Sequence, residues 1–187
     1  MTRTDVPGMT IWLTGLPSAG KSTIADLVAA KLRSAGESRV EILDGDVVRT
    51  HLSKGLGFSR EDRDENIRRI GFVASMLARH GVTVLVAVVS PYQKARDEAR
   101  SMHGGGTFVE VHVATPVDVC SVRDVKGLYR KQREGVLKGL TGVDDPYEEP
   151  STPELRVYTD DETEERSANR VLNLIRASRA RLNGGFD

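Results

Sequence analysis

The chain has 187 residues, a length that suits one compact domain with a sizeable hydrophobic core. Its 27 lysines and arginines balance 27 aspartates and glutamates, so no overall field draws the protein to nucleic acid or to an anionic membrane. The single cysteine, Cys120, cannot form an internal disulfide, and the longest apolar run, residues 82–89, is too short to span a bilayer. The N-terminus lacks the apolar core of a signal peptide. We therefore predict a cytoplasmic protein with no nucleic-acid or membrane partner.

Strand-like and helix-like patterns alternate along the chain. In chain order, the predicted elements are a strand (9–15), a helix (22–36), a strand (39–46), a long helix (60–81), a strand (82–90), a helix (93–103), a strand (107–113), a helix (115–124), a strand (155–160) and a closing helix (163–182). Thr115 is expected to cap its helix, with Pro116 at the first helical position. The alternation predicts an α/β fold, in which a central parallel sheet carries helices on both faces, over a single domain 1–187.

The segment 125–154 breaks the alternation. It begins basic, turns acidic and proline-rich, and contains four glycines. A long polar segment inside a compact domain is often functional. The plainer interpretation is a surface loop, but a basic cluster in a protein that must hold phosphates favours a mobile lid.

A phosphate-binding loop lies between the first strand and the first helix. Residues 15–22, "GLPSAGKS", fit the pattern G-x-x-x-x-G-K-S/T in the strand-then-helix setting that the pattern requires. Glycines let backbone N–H groups curl around an anion at a helix N-terminus. Lys21 is expected to reach the β- and γ-phosphates of ATP, and Ser22 to ligate Mg²⁺. The predicted nucleotide contacts are Gly15, Ser18, Ala19, Gly20, Lys21, Ser22 and Thr23.

Two features favour a small-molecule kinase over a switch or a motor. The third strand ends in Ser90 rather than in an aspartate, and the chain contains no guanine-recognition signature. The second strand delivers Asp44 and Asp46 to the edge of the sheet where ligands bind, and a carboxylate there could take a proton from an acceptor hydroxyl. Arg63 and Asn66, three residues apart, share a helix face that either meets the acceptor or is ordinary charged surface.

Several longer motifs occur together and in order: "GLPSAGKST", "LDGD..R", "LGFS..DR.ENIRRIG", "SPY...R..AR" and "KG.TG.DDPYE.P". With them the chain resembles the adenylyl-sulfate kinase (APS kinase) family from about residue 9 to residue 180. The resemblance implies a P-loop kinase fold and a homodimer. It also implies transfer of phosphate from MgATP to the 3′-hydroxyl of adenosine 5′-phosphosulfate (APS), giving 3′-phosphoadenosine 5′-phosphosulfate (PAPS) and ADP.

The resemblance also implies roles for individual residues. Asp46 matches the acid beside the acceptor hydroxyl, and Ser90 matches a serine that is phosphorylated in some members. With Lys21, these two are the expected catalytic residues. Arg123 lies where the family contacts the ATP base. The expected acceptor contacts are Asp46, Arg49, Phe58, Arg63, Asn66, Ser90, Lys126 and Leu140.

Some positions depart from the family pattern. They are Val47, His51, Ser53, Gly55, Phe72, Val88, Val125 and Leu140, the last standing where a second adenine-stacking phenylalanine is expected. Because several of these are expected near the acceptor, three hypotheses stay open. The chain is an APS kinase, a kinase of the same build that acts on another hydroxyl in specialised metabolism, or a non-catalytic nucleotide-binding protein.

Overall fold

A computed structural model describes residues 8–183. The terminal residues that complete the predicted domain 1–187 lie outside this range. The strands are β1 (Met9–Thr14), β2 (Val40–Asp44), β3 (Thr83–Ala87), β4 (Phe108–Val113) and β5 (Leu155–Val157). The helices are α1 (Lys21–Ser34), α2 (Gly45–His51), α3 (Arg60–Arg79), α4 (Gln93–Ser101), α5 (Val117–Arg123), α6 (Leu128–Arg133) and α7 (Glu164–Asn183). Within 8–183, no helix combines the length and the apolar character needed to cross a bilayer.

The five strands form one sheet in the order β2-β3-β1-β4-β5, and every neighbouring pair is parallel. The central strand, β1, is buried along its whole length, as are β3 and β4 beside it. Parallel strands bring their carboxyl ends to one edge of a sheet, so the segments that follow β1, β2 and β3 meet there. This confirms the predicted α/β architecture.

Successive residues of β1 serve two separate hydrophobic clusters. Ile11 and Leu13 pack in a cluster with residues of α1 and α7, whereas Trp12 packs in a cluster with residues of α3 and α4. Side chains alternate across a strand, so the two clusters lie on opposite faces of the sheet. Helices on both faces are therefore also confirmed.

The chain differs locally from the sequence prediction. The third strand ends at Ala87 rather than at residue 90, because the backbone turns and reaches a positive φ of 42° at Ser90. The helix predicted from Thr115 begins at Val117, and the predicted Thr115 cap is wrong. The Thr115 hydroxyl instead donates to the Ala19 carbonyl at 3.0 Å.

Two short helices were not predicted. Helix α2 follows β2 directly, and the Asp44 carboxylate caps it by accepting a hydrogen bond from the Asp46 N–H. Helix α6 lies inside the segment 125–154, where Thr141 and Asp145 also form an isolated β-bridge. That segment is therefore partly structured, although it contains no long element.

Candidate active site

Two glycines give the loop between β1 and α1 its shape. A Cβ atom added to Gly15 would lie 2.4 Å from the Val113 carbonyl oxygen, so no side chain fits there. Gly20 precedes α1 as its N-cap residue with φ 104°, a left-handed conformation that favours glycine. The loop therefore leads straight into a helix N-terminus, the arrangement that binds phosphate.

Lys21 is buried and directs its ammonium back over this loop. Its Nζ donates to the carbonyl oxygens of Gly15 at 2.9 Å and Leu16 at 2.7 Å. Burial lowers the pKa of Lys21 from 10.5 to about 8. The ammonium is thus still charged at neutral pH, and it lies where it could counter the charge of a phosphate.

The Ser22 hydroxyl donates to Asp44 Oδ2 at 2.6 Å. These two oxygens are hard ligands of the kind that Mg²⁺ prefers, and Mg²⁺ in kinases is typically held by one or two protein oxygens together with substrate phosphates and water. In residues 8–183, no cluster of three histidine, cysteine, aspartate or glutamate side chains could hold a metal alone. The donor set fits a magnesium ion carried in with a nucleotide. The sequence predicts Ser22 as the protein ligand of the metal and places Asp44 on the acceptor side, whereas the structure brings Asp44 to Ser22.

Two cavities flank the carboxyl edge of the sheet. The first, of about 360 Å³, includes the predicted site residues Ser18, Gly20, Lys21, Ser22, Thr23, Asp46, Arg123 and Lys126. The second, of about 280 Å³, includes Asp46, Arg49, Phe58, Arg63, Asn66, Ser90, Lys126 and Leu140. The residues predicted to bind the nucleotide thus line mainly the first cavity, and those predicted to bind the acceptor line the second. Gly15 and Ala19 line neither cavity.

Asp46 and Lys126 line both cavities, and they form an ion pair with each other. Asp46 lies in the first turn of α2, and Lys126 follows α5 at the start of the segment 125–154. A carboxylate at this boundary can face a hydroxyl in one cavity and a phosphate in the other. Such an arrangement is compatible with phosphoryl transfer between ligands in the two cavities.

Arginine side chains crowd one wall of the second cavity. The Arg49 guanidinium lies 4.4 Å from the centroid of the Phe58 ring, and burial lowers the Arg49 pKa. Arg63 donates to Thr141 Oγ1 and to the Gly139 carbonyl, both at 2.6 Å. Arg63 therefore ties α3 to the segment 125–154, a contact that sequence reasoning did not find.

Asn66 and Ser90 are both buried in the wall of the second cavity, but their polar groups differ. The Asn66 Oδ1 atom is buried and has no hydrogen-bond partner within residues 8–183. The Ser90 hydroxyl donates to Thr14 Oγ1 at 2.9 Å and accepts from Trp12 Nε1 at 3.1 Å. Asn66 is thus available to a ligand, whereas Ser90 is engaged by β1. The predicted catalytic role of Ser90 stays a prediction.

On the nucleotide side, Arg123 is held rigidly. Its guanidinium donates to the Thr159 hydroxyl at 2.6 Å and to the Thr159 carbonyl at 2.7 Å. Arg123 also lines the first cavity, and a guanidinium in such a position can stack on a base.

Most departures from the family pattern lie away from the second cavity. Its lining includes Val88 and Leu140, while Val125 lines the first cavity. The other departures, Val47, His51, Ser53, Gly55 and Phe72, line neither. The expectation that several changed residues surround the acceptor therefore narrows to Leu140 and Val88.

A family profile described as adenylylsulphate kinase matches residues 7–158. Among curated proteins, the adenylyl-sulfate kinase of Microcystis aeruginosa is 58% identical over 168 residues, which cover 90% of this chain and 91% of the relative. That of Myxococcus xanthus is 52% identical over 171 residues, covering 90% of this chain and 91% of the relative. The chain belongs to the adenylyl-sulfate kinase family.

Solved structures agree with this family membership. The Mycobacterium tuberculosis APS kinase CysC, in complex with AMPPNP and APS, superposes with a TM-score of 0.87 and 43% identity, covering 91% of this chain and 98% of that one. A hexameric APS kinase from Thiobacillus denitrificans gives a TM-score of 0.69 at 34% identity, over 95% of this chain and 31% of that one. A shikimate kinase from Acinetobacter baumannii, with a TM-score of 0.59 at 22% identity, shares the fold alone. The P-loop kinase fold predicted from sequence is confirmed.

Proposed function

We propose that this protein transfers the γ-phosphoryl group of ATP to the 3′-hydroxyl of APS, producing PAPS and ADP. The observation that carries the proposal is the pair of cavities that meet at Asp46. One has phosphate-loop chemistry, and the other has the cations and the aromatic ring that an anionic nucleotide acceptor needs. Structural agreement with the Mycobacterium tuberculosis enzyme, which binds AMPPNP and APS, supports the same pair of ligands.

On the donor side, ATP occupies the first cavity, with its phosphates on the loop 15–22. Lys21 counters the charge of the β- and γ-phosphates, and the base lies against Arg123, which Thr159 holds in place. Ser22 and Asp44 would hold Mg²⁺, which would supply positive charge to offset the negative charge that develops on the phosphates during transfer.

On the acceptor side, APS occupies the second cavity. Its adenine stacks on Phe58, and Arg49, Arg63 and Asn66 bind the phosphosulfate. Asp46 orients the 3′-hydroxyl and takes its proton as the oxygen attacks. Lys126 forms an ion pair with Asp46, so the lid and the acceptor-side carboxylate meet at the boundary between the two cavities.

The segment 125–154 acts as the lid over both ligands. It contributes Lys126 to both cavities and Leu140 to the second, so both spaces depend on its position. Arg63 donates hydrogen bonds to Thr141 and Gly139 of this segment and lies 3.8 Å from the Asp145 carboxylate, and an acceptor anion that binds Arg63 would compete with these contacts.

A second candidate is a kinase of the same build that phosphorylates another hydroxyl compound. Leu140 favours it, because an aliphatic side chain stands where the family has an aromatic one, and this position lines the acceptor cavity. The donor half of the mechanism would be unchanged, so only the acceptor distinguishes the two functions.

An ADP-release assay with ATP, Mg²⁺ and a panel of hydroxyl acceptors headed by APS tests the proposal. We expect APS to give the highest kcat/KM, with PAPS identified as the product by mass spectrometry. Absence of turnover with APS, together with turnover of another acceptor, would transfer the assignment to the second candidate. A homodimer and a cytoplasmic location stay predictions. Because one related APS kinase is hexameric, sedimentation of the purified protein is the direct test of assembly.

A further inference from the structure

A third cavity, of about 750 Å³, opens at the carboxyl end of β4. It is lined by the end of that strand and the loop after it, by Leu16, and by residues within 142–149 of the segment 125–154. None of its lining residues lines either of the first two cavities. It is therefore a separate site, hereafter the β4 groove.

The lining of the β4 groove is acidic, although the Arg63 guanidinium lies 3.8 Å from one of its carboxylates, Asp145. Its lining contains Asp144, Asp145 and Glu149 but neither lysine nor arginine. Backbone N–H groups of Gly139 and Leu140 donate to Asp144 and lower its pKa, so that carboxylate is ionised at neutral pH. Glu149 is solvent-exposed and forms no ion pair with the described part of the chain. Asp145 already has partners in Arg63 and Tyr92, so the exposed carboxylates of Asp144 and Glu149 are the ones that can attract a cation.

The groove also has an apolar wall. Val117 and Val143 are 41% and 48% exposed there, beside Pro116 and Pro146. A bare divalent cation would not use such a wall, because Ca²⁺ and Mg²⁺ need several oxygen ligands converging on one point. A ligand that combines positive charge with an aliphatic body fits both features.

A buried histidine supplies an independent observation. His112 is only 3% exposed, lines the groove and packs against the Tyr147 ring with centroids 5.8 Å apart. Its Nδ1 makes no hydrogen bond within residues 8–183. Burial, and then the nearby cations Arg156 and Arg96, lower the pKa of His112 to about 4. The ring is therefore neutral at pH 7 and has one nitrogen free to accept a hydrogen bond. Buried polar atoms normally have a partner.

We propose that the β4 groove binds a linear aliphatic polyamine, whose ammonium groups pair with Glu149 and its neighbouring carboxylates and donate to His112. The methylene segments lie along the apolar wall of valine and proline side chains. Each feature has a matching part of the ligand: ammonium groups for the acids, an N–H donor for the neutral imidazole, and CH₂ groups for the exposed valines.

Calorimetric titration with spermidine, in the absence of nucleotide and at physiological ionic strength, tests the proposal directly. We expect saturable binding of one spermidine per chain. His112→Phe keeps the ring and removes the acceptor, which should weaken binding about tenfold or more. Glu149→Gln removes an exposed charge, which should weaken binding about two- to fivefold. Neither residue belongs to the ATP or acceptor cavities, so the result does not depend on the proposed function.

Glu41→Gln is the matched control, because Glu41 is an exposed carboxylate on the edge strand β2, away from the groove. Its affinity for spermidine should equal that of the unaltered protein. The proposal fails if spermidine does not bind, if both groove variants bind it as tightly as the unaltered protein does, or if a lysine-rich peptide binds where spermidine does not. If circular dichroism shows that His112→Phe is unfolded, the Glu149→Gln variant tests the proposal, which then fails if this variant binds spermidine as tightly as the unaltered protein does.

Discussion

Lys126, in the segment after α5, pairs with Asp46, in the first turn of α2, at the boundary between the two cavities. Both side chains are more than half exposed, so their pairing adds little to stability. The ion pair matters because of where it lies. Asp46 lines the acceptor cavity, and Lys126, which belongs to the lid segment, lines the same boundary. Changes at Asp46 should therefore alter chemistry far more than folding.

Asp46→Asn keeps the shape of the side chain but removes the charge that takes the acceptor proton. Loss of a general base typically lowers turnover about 10²–10⁴-fold. We expect kcat to fall by that order, while the Kd for ATP, measured by calorimetry, changes little. If ATP affinity collapses and turnover per bound ATP is unchanged, Asp46 belongs to the metal site instead.

Lys21→Met should abolish transfer and yet stabilise the protein. Lys21 counters charge on the transferred phosphate, an effect worth roughly 10²–10³ in rate. Its folded-state pKa of about 8 lies below the ordinary value of 10.5, so burial of the charged form costs stability. The cost is about 3 kcal/mol with the hydrogen bonds to Gly15 and Leu16 in place.

The stability difference between Lys21→Met and the unaltered protein should depend on pH in a defined direction. Below pH 8, Lys21 is protonated in both the folded and the unfolded state, and the full cost is present. Between pH 8 and 10.5 the folded state releases its proton first, so the cost disappears as pH rises. Denaturant unfolding should show that the free energy of unfolding of Lys21→Met exceeds that of the unaltered protein by more at neutral pH than at alkaline pH. An advantage that is constant across this range would contradict the buried-charge argument.

Limited proteolysis should cut the free protein first in the segment 125–154. Arg133 and Lys138 are exposed and flank Glu134–Val136, which is also exposed, whereas Tyr129 is buried and donates to the Pro17 carbonyl. We expect trypsin to cleave at Arg133 or Lys138, and ADP with APS to slow the cut by closing the lid. Equal rates with and without the ligands would make this segment a static loop.

The sequence was sufficient for the features that depend on local pattern. The strand predicted around the apolar run 82–89 and the long helix predicted at 60–81 correspond to β3 and α3 to within a few residues. Helix α2 was missed because it has only seven residues and follows β2 without a break, so "LDGD" reads as one strand. Thr115 was assigned as a cap because it precedes a proline, but long-range contacts with Ala19 and Thr159 take its hydroxyl.

Long-range contacts also explain what was missed at the site. The Ser22–Asp44 contact joins residues 22 apart, and the Arg63–Thr141 contact joins residues 78 apart. Neither follows from periodicity or spacing, because each depends on how the sheet brings separate loops together. Sequence motifs predict which residues form the site, but they do not predict the hydrogen-bond partners of those residues.

Arg63→Ala and Asn66→Ala should weaken acceptor binding and leave ATP binding unchanged. Hydrogen bonds to a charged group are worth about 1.5–3 kcal/mol, so each change should cost roughly tenfold or more in acceptor affinity. Arg63 also holds the lid at Thr141, and Thr141→Val serves as the matched control because it removes that contact and keeps the arginine. Calorimetry with APS should show a much smaller loss for Thr141→Val. An equal loss would make Arg63 a lid residue rather than an anion ligand.

Leu140→Phe separates the two candidate functions. Leu140 is buried, lines the acceptor cavity and lies on the lid side of the space that Phe58 also lines. Leucine can cover an adenine ring but lacks the stacking contribution, about 0.5–1.5 kcal/mol beyond buried area for ring pairs. If the acceptor is APS, the phenylalanine should lower its KM several-fold and hardly change the KM for ATP. Phe58→Ala should raise the KM for APS, since base–aromatic stacking is worth about 1–3 kcal/mol.

The cavity adjoining Leu140 measures about 280 Å³, so a phenylalanine ring at this position reduces the space available to an acceptor that does not stack on it. An acceptor that has no flat base would gain nothing from the second ring and would be hindered by it. A raised KM for APS in Leu140→Phe, with the folded state intact by circular dichroism, would therefore contradict adenine stacking at this position. If neither the unaltered protein nor Leu140→Phe turns over APS, while another hydroxyl compound is phosphorylated only by the unaltered protein, the leucine is a specificity residue for that other acceptor.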